Sequence, residues 1–167
     1  KQYEAARKYF NQALTIRPNS ANVLHSIAIL YDELKEWDKS DQIYNQLIQS
    51  DSSDAQACNN YAYSLVERNQ SLDKALKMAK KAINIEPENP SYLDTIGWIY
   101  FKLNNHEKAR EYIEASIIIN GDNAVVLEHL GDIFMRIHKK DDALKYYQRA
   151  LNLDKNNARL IKKASTE

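Results

Sequence analysis

The stretch Pro90–Asn123 reads PSYLDTIGWIYFKLNNHEKAREYIEASIIINGDN, and its pattern recurs about every 34 residues along the chain. It contains two runs in which apolar side chains recur at i, i+3, i+4 and i+7, the spacing of one helix face. A short polar turn separates the two runs. In every copy a small residue stands early in the second run, at intervals of 34, 35, 34 and 34 residues: Ala6, Ser40, Ala75, Ala109 and Ala143. A fixed period of this length predicts a repeat protein built from helix pairs.

The first run of each copy has its own recurring positions. In the quoted copy they are Leu93, Ile96, Gly97 and Tyr100. The equivalent residues in the other copies are Leu24, Ile27, Ala28 and Tyr31; Cys58, Tyr61, Ala62 and Leu65; and Leu127, Leu130, Gly131 and Phe134. The third position is always small, which predicts close approach of the partner helix. A Gly inside an exposed helix would cost roughly 1 kcal/mol relative to Ala.

Together these positions resemble the signature of the tetratricopeptide repeat. Pro18 and Pro87 occupy its late proline position, whereas Ser52, Gly121 and Lys155 stand where proline is usual. The resemblance covers essentially the whole chain. It implies an all-α fold, a right-handed superhelical solenoid of antiparallel helix pairs, in which the first helices line the concave side and the second helices the convex side.

The period divides the chain into the parts of a single solenoid, 1–167. We expect the second helix of a partial repeat at 1–20, four full repeats at 21–54, 55–89, 90–123 and 124–157, and the start of a capping helix at 158–167. One extra residue lies in the turn of the second full repeat, Arg68–Leu72. Neither end looks like a natural boundary, so we expect a fragment of a longer protein.

Composition excludes several classes of function. Lys plus Arg and Asp plus Glu are each 23, so the net charge is zero and no nucleic-acid partner is predicted. No run of 18 apolar residues exists, so no membrane span is expected in this fragment. Cys58 is the only cysteine and falls in a core position, which predicts a buried, inert thiol.

Motifs for catalysis are absent. The chain contains no P-loop, dinucleotide fingerprint, H-E-x-x-H or G-x-S-x-G pattern. His129 and Asp132 share one helix face at i and i+3, but two ligands make a poor metal site. We therefore predict no enzyme activity, no cofactor and no metal.

The most consistent function is protein–protein recognition, with a peptide or helical segment of a partner held in the concave groove. Tyr63, Trp98 and Phe101 fall outside the core positions, on the face that the family uses for ligands. Aromatic residues exposed in a groove are typical anchors for a bound segment. The alternative is that Tyr63 and Trp98 pack adjacent first helices together, and the sequence does not choose between the two.

Polar residues on the same face complete the predicted binding site. Near the N-terminal end they are Asn22 and His25, followed by Asn59 and Asn60, whose amides both donate and accept hydrogen bonds and so suit a peptide backbone. The C-terminal half carries acidic residues: Asp94, Glu128 and Asp132. If these carboxylates are exposed, a ligand there should carry Lys or Arg. The alternative is an ordinary solvated face.

One family subtype does not match, and two other functions stay open. Chaperone-binding members hold a terminal carboxylate with Lys, Asn and Arg at set places, and only Asn60 fits that pattern here. The chain could instead be the substrate-recruiting or regulatory arm of a larger enzyme. It could also self-assemble as a homo-oligomer, with repeats stacked end to end through exposed solenoid ends.

Overall fold

A computed structural model describes the backbone of residues 2–165, and the side chains of this range apart from those of 2–4, 6 and 11. Lys1, Thr166, Glu167 and the side chain of Ala6, which the repeat pattern assigns to the core, lie outside the described residues. The described range forms ten α-helices and no strand. The helices are α1 (Gln2–Ile16), α2 (Ala21–Glu33), α3 (Trp37–Ser50), α4 (Ala55–Glu67), α5 (Leu72–Ile85), α6 (Pro90–Lys102), α7 (His106–Asn120), α8 (Ala124–Arg136), α9 (Lys140–Leu153) and α10 (Ala158–Ala164).

Consecutive helices pack as antiparallel pairs: α2 with α3, α4 with α5, α6 with α7, and α8 with α9. Each second helix also packs against the first helix of the following pair. The first helices of neighbouring pairs touch one another in turn, α2 with α4, α4 with α6, and α6 with α8. The expected all-α solenoid of antiparallel helix pairs is therefore confirmed. We call the surface of α2, α4, α6 and α8 that faces away from the second helices the inner face.

Side-chain caps start the helices α4, α6, α8 and α10, whereas Ser20 at the start of α2 forms no side-chain cap hydrogen bond. The side-chain oxygens of Asp54, Asn89, Asn123 and Asn157 accept hydrogen bonds from backbone N–H groups in the first turns of α4, α6, α8 and α10. A cap of this kind contributes about 1 kcal/mol to helix stability. Pro90 follows its cap at the first position of α6, where a missing N–H costs no hydrogen bond. These ends hold the inner-face residues in register from one repeat to the next.

The turns inside the repeats use left-handed residues that are not glycine. Lys35, Asn69, Asn104 and His138 have φ angles of 57°, 52°, 60° and 61° at equivalent places. The turn that carries the extra residue has a second one, Ser71, with φ of 46°. The 35-residue interval is thus absorbed by one more left-handed residue, and α5 still packs on α4 as the other pairs do.

Small residues let the two helices of a pair approach closely, as the recurring position predicts. A Cβ placed on Gly97 would lie 2.8 Å from Ile113 Cδ1, and one on Gly131 would clash with the ring of Tyr147. Ala28 and Ala62 are completely buried at the same position. The main part of the core therefore lies between the two helix layers.

Candidate functional site

Residues of the inner face fall at equivalent places on successive first helices, because the helices are in register. Ile29, Tyr63, Trp98 and Asp132 are the ninth residues of α2, α4, α6 and α8. They differ sharply in environment: Ile29 and Tyr63 are 44% and 38% exposed, whereas Trp98 is 7% exposed. Equivalent position in the repeat therefore does not mean equivalent access to a ligand.

Trp98 packs between three first helices. Its Nε1 donates a hydrogen bond to Glu67 Oε1 at 2.9 Å on α4. Its ring stacks on His129 of α8, with centroids 4.0 Å apart, and on Phe101 with centroids 4.8 Å apart. Lys102 Nζ covers part of the ring at 4.7 Å from the centroid. Trp98 therefore packs adjacent first helices together, which is the alternative that the sequence left open. The side chain of Phe101 is half-buried beside it.

Two histidine–carboxylate pairs join neighbouring first helices. His129 Nδ1 lies 2.8 Å from Asp94 Oδ1, and His25 Nε2 lies 2.9 Å from Asp54 Oδ2. His25, Asp94 and His129 are all buried. The His129–Asp94 pair joins two repeats, and the His25–Asp54 pair joins α2 to the N-cap of α4, so both tie the inner face to contacts between successive first helices.

Basic residues of α10 compensate the acidic C-terminal part of the inner face. Glu128 is 3% exposed and accepts hydrogen bonds from Arg159 Nη2 and Lys163 Nζ, each at 2.8 Å. Lys163 also bonds Asp132 Oδ1 at 2.6 Å, and Tyr147 Oη donates to the same carboxylate oxygen at 2.7 Å. Burial, and then the Asp132 carboxylate, raise the pKa of the Tyr147 phenol far above its ordinary value.

The site predicted from the sequence did not include Arg159 and Lys163, although the repeat spacing pointed to Lys163. Lys163 stands 34 residues after His129. Lys163 bonds Glu128, which lies 35 residues before it on the preceding first helix. His129 bonds Asp94 across the same separation. Asp94 and Glu128 therefore both pair with the next first helix and are both buried, so neither meets the condition set for a basic ligand, an exposed carboxylate. Asp94 differs from Glu128 because it lines a cleft.

A cleft of about 280 Å³ opens between α4, α6 and α8, where these first helices meet the C-terminal part of α7. It brings together four residues of the predicted site: Asn59, Asn60, Tyr63 and Asp94. The remaining lining comes from both ends of the third full repeat and the start of α8: Pro90, Ser91, Thr95, Ser116, Asn120, Asn123, Val125 and Val126. Both polar and apolar side chains line the cleft, so it can hold a group that carries both characters.

Hydrogen bonding in this cleft is incomplete. Thr95 Oγ1 donates to the Ser91 carbonyl at 3.0 Å, and Ser116 Oγ donates to the Pro90 carbonyl at 2.8 Å. Asn59 is 6% exposed, and its Oδ1 is buried without a hydrogen-bond partner among the described residues. Its Nδ2 makes one long bond, 3.4 Å, to Asn60 Oδ1.

Tyr63 stands at the rim of the same cleft. Burial of the phenol, followed by the negative charges of Glu67 and Asp94, raises its pKa to about 12, against a smaller opposing effect of Arg159. The hydroxyl therefore remains protonated at neutral pH and can donate to an acceptor. Of the three predicted aromatic anchors, Tyr63 is exposed, Phe101 is half-buried and Trp98 is buried.

The other predicted residues lie elsewhere. Phe101 and Asp132 line a second cleft, of about 340 Å³, at the opposite edge of the inner face. Asn22 is exposed near the start of α2, and His25 is buried on the same helix; neither lines the cleft between α4, α6 and α8. Six of the ten predicted residues therefore lie outside the lining of the cleft between α4, α6 and α8.

The described residues contain no group of three or more His, Cys, Asp and Glu side chains placed to hold a metal ion. The His129–Asp132 pair considered from the sequence does not form, because His129 bonds Asp94 and Asp132 bonds Tyr147 and Lys163. Between residues 2 and 165, no helix combines the length and the apolar character needed to cross a bilayer.

Comparison with protein families identifies the repeat. A family model described as tetratricopeptide repeat matches residues 17–163, and a second model of the same description matches residues 1–20. BBSome complex member BBS4 of Bos taurus is 28% identical over 116 residues, 66% of this chain and 21% of that protein. The type IV pilus assembly protein PilF of Pseudomonas aeruginosa is 25% identical over 112 residues, 66% of this chain and 44% of that protein. The chain therefore spans less than half the length of each of these relatives.

Solved structures show the same fold. A thermophilic TPR protein from Thermus thermophilus has a TM-score of 0.85 at 20% sequence identity, and the match covers 98% of this chain and 89% of that chain. Pseudomonas aeruginosa PilF has a TM-score of 0.78 at 24% identity, covering 97% of this chain and 73% of that chain. At these identities the likeness concerns the fold alone.

Proposed function

The chain belongs to the tetratricopeptide repeat family, whose repeats serve as scaffolds for protein–protein interaction, and from this premise we propose that it binds a peptide or helical segment of a partner protein. The segment lies on the inner face across α4, α6 and α8, and the chain performs no catalysis there. Two relatives carry names that refer to assemblies, a BBSome complex member and a pilus assembly protein. Those names support an interaction role for a solenoid of this type.

The observation that carries the proposal is the cleft between α4, α6 and α8 with Tyr63 at its rim. Tyr63 is 38% exposed on a rigid helix, with the amides of Asn59 and Asn60 one turn earlier on α4. An aromatic ring beside polar groups that both donate and accept hydrogen bonds is a combination typical of binding hot spots. Few interactions inside the protein use these groups, so they are left for a ligand.

The helical framework favours binding because it needs little reorganisation. Tyr63 and Asn60 lie on a helix that packs against α5, α6 and α2. Side chains already held in place lose less conformational freedom when a segment binds, and the segment gains affinity accordingly. In this arrangement Tyr63 supplies apolar contact area and Asn60 supplies hydrogen bonds to the backbone of the segment.

The test is a peptide selection followed by affinity measurement. Twelve-residue peptides displayed on phage are selected on the protein, and the tightest are labelled and titrated by fluorescence anisotropy. The same peptides are then titrated against Tyr63→Ala and Asn60→Ala. Tyr9→Ala serves as the matched control, because Tyr9 is also an exposed tyrosine but lies on α1, a second-position helix.

We expect Tyr63→Ala to weaken binding at least 10-fold, and Asn60→Ala to weaken it severalfold, while Tyr9→Ala leaves the dissociation constant unchanged. Circular dichroism confirms that each variant keeps its helicity. Peptides that bind both inner-face variants as tightly as the parent protein would show that the binding surface lies elsewhere.

A further inference from the structure

We infer that the cleft between α4, α6 and α8 binds a lysine side chain of the segment held on the inner face. The inference rests on the proposed function, because it assigns one residue of the bound segment. The acceptors for the ammonium group are Asn59 and Asp94, which line the same cleft. Val125 and Val126, which also line the cleft, contact the methylene stem.

The first argument is an amide without a partner. Asn59 Oδ1 is buried and receives no hydrogen bond from the described residues, and an acceptor in that state is unfavourable until a donor reaches it. Asn59 lines the cleft, so a ligand N–H that enters the cleft can supply the donor that this oxygen lacks.

The second argument is charge. Asp94 is the only charged residue among those that line the cleft. Its Oδ1 is bonded to His129, and its Oδ2 makes no hydrogen bond within residues 2–165. The nearby cations Arg159 and Lys163 are already bonded to Glu128. The raised pKa of the Tyr63 phenol, to which Glu67 and Asp94 contribute, agrees with a negative potential at the rim.

The third argument is size and shape. The volume of about 280 Å³ lies just below the range of about 300–1,000 Å³ that is usual for pockets of drug-sized ligands. The cleft therefore suits a single side chain. Lysine combines a flexible apolar stem with a compact ammonium that has three donors, and it places the stem on apolar surface while the charge meets the acceptors. The planar, wider arginine head group and a backbone amide each match only part of this lining.

The test uses small probes, so that it does not depend on knowing the partner. The protein labelled with ¹⁵N is titrated with N-acetyl-lysine methylamide up to tens of millimolar, and the side-chain NH₂ resonances of Asn59 and Asn60 are followed. N-acetyl-norleucine methylamide is the matched probe, since it lacks the ammonium. The arginine and ε-acetyl-lysine analogues complete the set. The variants are Asn59→Leu, which replaces the amide with a side chain of similar size, and Asp94→Asn, which removes the charge but keeps an acceptor for His129.

We expect the lysine probe to shift these resonances at least fivefold more than norleucine, with arginine and ε-acetyl-lysine giving smaller shifts. Asn59→Leu and Asp94→Asn should each reduce the response of the Asn60 resonance to lysine at least threefold while leaving the thermal midpoint near that of the parent. Equal responses to lysine and norleucine, a stronger response to arginine, or no response to any probe would overturn the assignment. Because peptide selection tests the inner face separately, peptides that bind through Tyr63 without preferring lysine would refute this inference and leave the proposed function standing.

Discussion

Tyr63 and Trp98 occupy the same position in consecutive first helices, yet one is exposed and the other is buried. The difference lies one repeat further along the chain. His129 of α8 stacks on Trp98, and the residue equivalent to His129 on α6 is the smaller Thr95, which lines the open cleft beside Tyr63. A small residue on the next helix therefore leaves an inner-face aromatic free for a ligand, and a ring on the next helix covers it.

Replacement of these two aromatics should separate packing from binding. We expect Trp98→Ala to lower the free energy of unfolding by about 3–5 kcal/mol, because it removes a large buried ring and its hydrogen bond to Glu67. Tyr63→Ala should cost about 1 kcal/mol or less, as for a largely surface position. Urea denaturation followed by far-ultraviolet circular dichroism measures both. Similar losses in the two variants would mean that Tyr63 also has a structural role.

The raised pKa of Tyr63 predicts how the stability of the protein changes at alkaline pH. In the folded protein its pKa is raised to about 12, whereas a tyrosine in the unfolded chain ionises near about 10. The folded state therefore keeps a proton that the unfolded state loses. This contribution to stability is fully present below about pH 10 and is lost as the pH rises from about 10 to about 12. Tyr63→Phe should lower the alkaline loss of thermal stability relative to the parent. An identical loss in both proteins would contradict the assignment.

At the scale of the helix pair, the repeat depends on close approach at one small residue. In α8 this residue is Gly131, against which the ring of Tyr147 from α9 lies directly. The same ring donates its hydroxyl to Asp132, so the contact also places a carboxylate of the inner face. One glycine thus links core packing to the arrangement of surface charge.

Gly131→Ala tests this contact against helix propensity. Propensity alone favours Ala over Gly by about 1 kcal/mol in a helix interior, but the new Cβ would meet the Tyr147 ring, and overpacking typically costs about 1–3 kcal/mol. We expect a net loss of stability in the parent background. In a Tyr147→Ala background the same substitution should be neutral or stabilising. A double-mutant cycle measured by thermal denaturation gives the coupling directly, and independent effects of the two changes would rule out the contact as the cause.

Sequence reasoning predicted the helices and the close-approach positions more successfully than the roles of polar residues on the inner face. The 34-residue period reveals residue types that recur at one position, such as Gly97 and Gly131. They recur because the two helices of every pair must approach closely at that position. The contacts Trp98–Glu67 and His129–Asp94 instead join different positions on adjacent first helices, 31 and 35 residues apart. Comparing equivalent positions cannot reveal such pairs, so Trp98 could not be distinguished from Tyr63 until the helices were in place.

At the scale of the whole molecule, each repeat touches mainly its neighbours, so the inner face is assembled from interfaces between repeats. α10 illustrates this at the C-terminal end, where Arg159 and Lys163 meet the buried Glu128. The acidic surface that the sequence suggested at this end is largely compensated within the chain. The cleft lined by Asn59 and Asp94, between the second, third and fourth first helices, keeps a buried amide oxygen of Asn59 without a partner among the described residues.

Photo-crosslinking tests most directly whether a bound segment lies on this face. Benzoylphenylalanine is introduced in place of Tyr63 or, as the control, in place of Tyr9, and each protein is irradiated with a labelled peptide obtained by selection on the parent protein. The account predicts a crosslinked product from position 63, competed away by unlabelled peptide, and none from position 9. A product from position 9 and none from position 63 would contradict the claim that the inner face is the binding surface.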